Sequence, residues 1–264
     1  MQICEGEIYS GNNLNAIDCQ IHGCIHLDPI PVNKYGDGYY HRCVKPSMKD
    51  DYEQDKEWWT AIHNDWLSLI PQRDGHRLLD VGAGTGHFIQ NARLAGWSVV
   101  GIESDYEMAK SNRNYVLWGE YEDYSGTDYD VISAHWVMEH LADPSHFLQW
   151  AKGRLKDDGN LLITIPNDFS PIQKDAMLAV NKPYYWLNQY HINYWNGPSL
   201  VRFLNTNGWS IVDVYGSWQP EQHILNGMNY LEDHNLGRKL HSERMLHDLE
   251  TRAEYRRSKY RLMG

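Results

Sequence analysis

The sequence predicts an α/β fold built on a doubly wound, mostly parallel sheet, and three observations carry that prediction. Strand-like and helix-like segments alternate from residue 76 to residue 218, a pattern that covers both faces of a parallel sheet with helices. An apolar run containing an acid, Leu78-Leu79-Asp80-Val81, leads into Gly82-Ala83-Gly84-Thr85-Gly86, as a strand, a tight turn and a helix start would. Downstream, Ser98-Val99-Val100-Gly101-Ile102-Glu103 reads as a buried strand ending in a carboxylate, 19 residues beyond Gly84. Bare backbone at the first strand end can approach a ligand closely, and a carboxylate at the second can accept from a ribose diol.

Taken in order, residues 1–45 are turn-rich with little periodicity. Residues 46–70 read as a helix with Trp59, Ile62, Trp66 and Leu69 along one face. Strands are expected near 77–82, 98–103, 115–118, 129–134, 160–165 and 209–217. Before the fifth of these, Asp143 and Pro144 supply an N-cap and a first helical residue. Phe147, Leu148, Ala151 and Leu155 then follow at helical spacing. Residues 219–264 read as a helical extension, with Ile224, Leu225, Met228 and Leu231 on one stripe and Leu246, Leu249 and Ala253 on another. The expected organisation is an amino-terminal segment (1–45), a central domain (46–218) and a carboxyl-terminal extension (219–264), with no internal repeat and no low-complexity linker.

Composition narrows the function. Twenty-four Lys and Arg stand against 35 Asp and Glu, a net charge of -11, which argues against a nucleic-acid partner. No apolar run approaches a membrane span, so no membrane partner is expected. Four cysteines without a leader-like start imply reduced thiols and a cytoplasmic protein. Eleven tryptophans and 18 tyrosines exceed what a core of this size requires, so some are expected to line a binding surface.

Glycine spacing separates two cofactor classes. A dinucleotide fingerprint needs G-x-G-x-x-G, and His87 occupies its last position; the chain has G-x-G-x-G instead. That arrangement resembles motif I of the class I S-adenosylmethionine-dependent methyltransferases. Asp130-Val131-Ile132-Ser133-Ala134-His135, followed by Glu139-His140-Leu141-Ala142-Asp143-Pro144, resembles the same family's fourth strand and its E-H-L-x-D-P loop. Leu155-Lys156-Asp157-Asp158-Gly159 and the apolar run after it resemble the L-K-P-G-G turn and fifth strand, with Asp157 and Asp158 in place of proline and glycine. The resemblance covers residues 76–215. It implies the Rossmann-like class I methyltransferase fold, S-adenosyl-L-methionine as cofactor, and kinship with the ubiquinone-biosynthesis O-methyltransferases and the bacterial sugar methyltransferases.

By that resemblance Asp80, Gly82, Ala83, Gly84 and Gly86 would meet the methionine end and ribose of the cofactor, and Glu103 with Ser104 would take the ribose hydroxyls. Glu120 and Tyr121 stand in the stretch resembling the adenine-contacting loop; a solvated acidic loop is the plain alternative. Ser133 and His135 would face the methionine part or the transferred methyl. A base is expected for a transfer that removes a proton, and histidine titrates near neutrality. His140, in the loop after the fourth strand, and His191, in an aromatic stretch before the Ser199-Leu200 helix, are the two candidates. Tyr194 and Trp195 beside His191 would form a lid over a flat or sugar-like acceptor, or else a satellite core.

The amino-terminal segment carries Cys4-x-x-Glu7 and Cys19-x-x-His22, resembling a degenerate pair of zinc knuckles such as many methyltransferases of sugar and secondary metabolism carry. Cys4, Glu7, Cys19 and His22 could form a tetrahedral zinc site, but glutamate is uncommon in structural zinc sites, so a ribbon without a metal is the main expectation, with Cys24 and Cys43 as packing residues. A basic cluster at Arg252, Arg256, Arg257, Lys259 and Arg261 would meet a phosphate or form a solvated helix face. The family's seventh strand has no counterpart after Trp218. A cut-short or altered sheet edge is therefore expected, one that a homodimer partner would cover. The resulting expectation is methyl transfer to a small-molecule acceptor, on an oxygen of a sugar, free or nucleotide-linked, or of a related metabolite. A catalytically silent subunit of the same fold and a dinucleotide-dependent oxidoreductase are the competing readings.

Overall fold

The computed structural model describes residues 4–31, 55–71, 75–216, 218–233, 235–241 and 243. In chain order its strands are β1 (Gly6–Gly11), β2 (Leu14–Cys19), β3 (Cys24–Leu27), β4 (Arg77–Val81), β5 (Ser98–Glu103), β6 (Val116–Trp118), β7 (Tyr129–His135), β8 (Leu155–Thr164) and β9 (Asn193–Tyr194). Its α-helices are α1 (Lys56–Ser68), α2 (His87–Leu94), α3 (Tyr106–Ala109), α4 (Pro144–Lys152), α5 (Pro171–Val180), α6 (Gly197–Thr206) and α7 (Glu221–Leu225). They fall into two compact units, Val32–Ile165 on one side and Met1–Pro31 with Pro166–Gly264 on the other. The boundary after Ile165 groups residues 166–216 with the amino-terminal segment, where the sequence suggests one domain through Trp218.

In the first unit five strands run parallel in the order β6-β5-β4-β7-β8. Register sets Leu78 beside Val99 and Val131, and Asp80 beside Gly101 and Ser133. Leu78, Val99 and Val131 share a core with Leu67 and Ile70, from α1 and just beyond it, and with Phe88, Ile89 and Ala92 of α2. The buried side chains of α1 are Trp58, His63 and Leu67, so its inner stripe is displaced from the one that spacing suggests. Residues alternate across a strand, so Leu79 and Ile132 point to the other face. Asp143 caps α4 as expected, its carboxylate accepting from His146 N at 2.9 Å with Pro144 behind it.

The second unit holds the structure's main departure from expectation. Residues 6–27 form an antiparallel meander that β9 extends, in the order β1-β2-β3-β9. Asn12 and Asn13, both with positive φ, make the two-residue turn that joins β1 to β2. The Asn12 amide then donates to the carbonyls of Tyr185 and Leu187, at 2.7 and 2.9 Å. Ala16 and Leu27 pack with Phe169, Trp186, Leu187 and Tyr194. Tyr194 and Trp195 are fully buried, Tyr194 in this core and Trp195 against Phe203 of α6, so they form no lid.

Two further expectations are corrected. Residues 209–216 form no strand, and Val212 is 84% exposed, because this stretch gains neither a ladder partner nor apolar cover. Among the described residues the parallel sheet therefore stops at five strands. The amino-terminal strands build their own sheet and add no edge to it. The long carboxyl-terminal helix is interrupted: α7 ends at Leu225, Gly227 turns with φ +84°, and helix resumes over 235–241. Ile224 is buried but Leu225 is exposed. Cys43, Leu246, Leu249, Ala253 and the basic cluster at 252–261 lie outside the described residues.

Candidate functional site

The site is built where β4 and β5 end side by side. Gly82, Gly84 and Gly86 all have positive φ, which L-residues with a Cβ enter only at a cost. A Cβ on Gly82 would lie 2.4 Å from Val137 Cγ2, so the turn and the loop after β7 touch through bare backbone. The Gly82 and Ala83 amides donate to Ile102 O at 2.9 and 3.0 Å, tying the turn to β5.

Glu103 is held by that turn. Gly84 N donates to its Oε2 at 2.8 Å, and Asp105 N donates to its Oε1 at 2.8 Å. One donor on each oxygen fixes the carboxylate and leaves a lone pair per oxygen for a ligand. Burial pushes the carboxyl's pKa up, and the Asp105 and Gly84 donors oppose that push. Asp80 is buried beneath the turn with its Oδ1 accepting from Ser133 Oγ at 2.7 Å. Burial raises its pKa to about 7 against the Ser133 hydrogen bond, and the Glu103 charge adds to the rise.

Other residues predicted for the site fall differently. Ser133 is fully buried and its hydroxyl donates to Asp80, so it positions that carboxyl. Tyr121 turns inward, edge-on to Phe147 and Trp150, with its hydroxyl 3.3 Å from His146 Nδ1. Its ring packs in the core under α4, where the sequence places it in an adenine-contacting loop. Glu120 remains exposed beside it. The Ser104 carbonyl accepts from Trp118 Nε1 at 3.1 Å, and Trp118, opposite Glu103 across the β5–β6 ladder, is 63% exposed with Tyr106 against its ring. Sequence reasoning overlooked this aromatic wall, whose signal was a tryptophan closing a short strand.

His135 stacks on Trp66 with ring centroids 4.1 Å apart and meets the Phe88 edge, and its Nδ1 lies 3.1 Å from Thr164 Oγ1. Burial keeps this imidazole well below its usual pKa and therefore neutral. His63, beneath the same aromatic group, has its Nδ1 2.8 Å from Asn91 Nδ2, and burial lowers its pKa to about 3. His140 lies in a short 3-10 turn (Met138–His140) just past β7, its amide donating to Val137 O. In the other unit the His191 amide donates to Asn188 Oδ1 at 2.9 Å, two residues before β9. That unit also buries Asp168, whose Oδ1 accepts from Gln173 Nε2 at 3.2 Å. Burial raises the Asp168 pKa to about 7, with the Glu221 charge adding to the effect. Of the amino-terminal residues, Cys4, Cys19 and His22 converge with His26, while Glu7 is exposed and accepts from the Tyr9 hydroxyl.

The model of a methyltransferase-domain family matches residues 53–214. A ubiquinone biosynthesis O-methyltransferase of Yersinia enterocolitica is 26% identical over 200 residues, 69% of this chain and 79% of the relative. A protein named as a probable fatty acid methyltransferase of Mycobacterium tuberculosis is 29% identical over 136 residues, 47% of this chain. The chain spans only 31% of that relative's length. Among solved structures, a chain of the complex between the Haloferax volcanii Trm112 methyltransferase activator and a methyltransferase superposes with a TM-score of 0.50. It is 20% identical and the match covers 67% of this chain and 77% of that one, a likeness of fold. With the family match spanning the glycine turn, Glu103 and the parallel sheet that carries them, this protein belongs to the class I S-adenosylmethionine-dependent methyltransferases, and S-adenosylmethionine is its cofactor.

Proposed function

We propose that this methyltransferase acts on an oxygen of a small metabolite, with sugars, free or nucleotide-linked, as the first acceptor class to test, in a reducing compartment such as the cytoplasm. The observation that carries the reading is the clamp on Glu103, a carboxylate pre-oriented by the Gly84 and Asp105 amides at the end of β5. A silent subunit would have no use for that order. The chemistry of the donor set fits the cofactor: Glu103 accepts from the ribose diol, the glycine turn admits the ribose and methionine end, and Trp118 with Tyr106 offers an apolar face to adenine. Bound there, S-adenosylmethionine supplies an electrophilic methyl group on a sulfonium. Asp80 answers the cationic end from below the turn.

The chain's remaining tasks are to hold the acceptor oxygen within about 3 Å of the methyl carbon and to take its proton. With the cofactor supplying the methyl group, the acceptor oxygen would displace the sulfur and an imidazole nitrogen would take the acceptor's proton. His140 lies just past the end of β7, which pairs with β4, the strand that leads into the glycine turn, and it is one base candidate. His191, held by Asn188 in the aromatic segment, is the other. Oxygen is favoured because the O-methyltransferase relative is matched along 79% of its length. A net charge of -11 disfavours a nucleic-acid acceptor, and no helix among the described residues is long and apolar enough to cross a membrane. The β8 edge of the sheet offers a face that a second copy would cover.

Two measurements test this. Calorimetric titration with S-adenosylhomocysteine should show one site per chain and no response to NAD. A screen of nucleotide sugars, free sugars and phenols, followed by mass spectrometry, should show a gain of one methyl group on oxygen. His140→Ala and His191→Ala should leave cofactor binding intact, and only the true base should lower turnover, by about 100-fold or more. Tight cofactor binding with transfer only to nitrogen or carbon would overturn the oxygen reading.

A further inference from the structure

We propose that Cys4, Cys19, His22 and His26 bind one zinc ion in a closed tetrahedral site that pins the amino-terminal sheet of this protein. Their four ligand atoms all lie within 4.8 Å of one another. Cys4 Sγ is 3.6 Å from His22 Nδ1 and 3.5 Å from His26 Nε2. Cys19 Sγ is 3.2 Å from His22 Nδ1, which is 3.0 Å from His26 Nε2. Zinc bonds of about 2.3 Å to sulfur and about 2.0–2.1 Å to nitrogen imply tetrahedral edges of about 3.6 Å between S and N and about 3.4 Å between N and N. These four edges have those values or are slightly tighter, and the remaining two are within 4.8 Å. The cluster already has the size of a zinc shell.

Chain geometry explains the convergence. Cys19 ends β2, and the turn back to β3 closes with Gly23 N on Cys19 O at 2.9 Å and Gly23 at φ +68°. Inside that turn the His22 amide points at Cys19 Sγ from 3.5 Å. Register pairs Ile17 with His26 and Cys19 with Cys24, so Cys19 and His26 are diagonal neighbours on one face. Cys4 arrives on the approach to β1, which Gln20 N fastens to the hairpin tip through Glu5 O.

Proton placement points the same way. His26 Nδ1 lies 2.8 Å from Leu27 O. A carbonyl can only accept, so Nδ1 carries the hydrogen and Nε2 turns a lone pair towards the cluster. A backbone carbonyl holding the far nitrogen of a ligating imidazole is the usual outer support of a metal-bound histidine. Cys4 Sγ, Cys19 Sγ and His26 Nε2 all converge on the one nitrogen of His22, where a single proton can serve only one of them. A cation satisfies all four.

The donor set selects the ion. Two sulfurs and two imidazoles in tetrahedral array suit zinc, and with all four positions filled by protein the site is structural. Glu7 is turned to Tyr9 and takes no part. Cys24 faces Asn193 Oδ1 at 3.8 Å and takes none either. The consequence reaches further along the sheet. His26 pairs with Asn193, and Leu27 N donates to Ile192 O at 2.8 Å, so the strand that zinc would anchor holds the segment carrying His191.

Elemental analysis of the purified full chain should find one zinc per chain. X-ray absorption at the zinc edge should give two sulfur and two nitrogen neighbours, a result that needs no variant. Retention through dialysis against a chelator should fall at least about tenfold in His26→Ala and Cys19→Ser, while Glu7→Gln should retain zinc as the parent does. A folded chain that neither holds nor takes up zinc overturns the proposal, as does a shell of oxygens only. Loss of zinc in Glu7→Gln with retention in His26→Ala would overturn this ligand set.

Discussion

The end of the parallel sheet and the small antiparallel sheet present candidate ligand groups by opposite means. At the glycine turn the chain offers backbone, and one carboxylate is oriented by two amides. Its parts lie close in sequence, with Asp80 through Gly86 contiguous and Glu103 one strand further on. In the other unit, side chains converge from Cys4, Cys19, His22 and His26. Its parts meet only because strands 6–27 pair with one another and with residues 193–194. Local backbone patterns leave a mark in sequence, whereas convergence across a register does not.

The largest effect tests the backbone side of that contrast. A Cβ on Gly84 would meet nothing nearer than Met108 Cε at 3.6 Å, so the fold itself has room for a side chain there. Gly84→Arg should keep a cooperative melt, at a cost of about 1–2 kcal/mol for a residue held at positive φ. It should also lower affinity for S-adenosylhomocysteine at least about 100-fold, near 3 kcal/mol. Calorimetry beside a thermal melt checks both. Unchanged affinity would remove the turn from the site.

Glu103→Gln probes the carboxylate with almost no change of shape. The Gln oxygen can accept from Gly84 or Asp105 but not from both, and its amide cannot accept from a diol. Affinity for S-adenosylhomocysteine should fall by about 2 kcal/mol, roughly 30-fold. A titration that finds less than about a threefold loss would mean that this group only ties the turn together.

Legibility follows the same division. The glycine turn, Glu103 and the Asp143 cap could be read because each needs a particular residue type at a fixed local offset. The hydrogen bond of Ser133 and the inward turn of Tyr121 were not legible because family resemblance gives a position along the chain and not a side chain's direction; β7 register turns Ser133 onto Asp80. The 6–27 meander escaped because its strands are short and half-exposed, with little alternation to see. Asn12-Asn13, a pair suited to a two-residue hairpin turn, was its one local signal. His26 could not be placed beside Cys19 and His22 before the pairing with Ile17 was known.

Asp80 and Asp168 make the two units comparable through a single property. Burial lifts both from an ordinary 3.8 to about 7, each with a neighbouring carboxylate adding to the rise. A carboxyl whose pKa is higher folded than unfolded stabilises the fold below its unfolded value. That contribution declines as pH climbs towards the folded value and stays flat above it. Asparagine mimics the protonated form, so Asp168→Asn should match the parent at low pH and exceed it by about 2 kcal/mol near pH 8. Urea melts at several pH values check this, and the variant should bind S-adenosylhomocysteine like the parent. Asp80→Asn should follow the same stability curve but lose affinity. If both variants bind normally, Asp80 has no part in the site.

The smallest effect falls on Trp118. Its ring is 63% exposed, edge-on to Tyr106, and its Nε1 donates to Ser104 O on the strand end that carries Glu103. A large apolar face left open at that place has one use if adenine lies against it, and none for the core. Trp118→Ala removes little buried area, so the melting temperature should stay within about 2 °C of the parent. Affinity for S-adenosylhomocysteine should fall by about 1 kcal/mol, roughly fivefold, as stacking on an aromatic is lost. Trp118→Phe should recover most of that, since a flat ring remains. Adenosine as competitor sharpens the reading, because its binding should weaken by the same factor while methionine binding does not change. Equal loss for both compounds would assign Trp118 to shaping the turn around Ser104, and the contrast between a backbone cradle and a side-chain cluster would then hold for the adenine end as well.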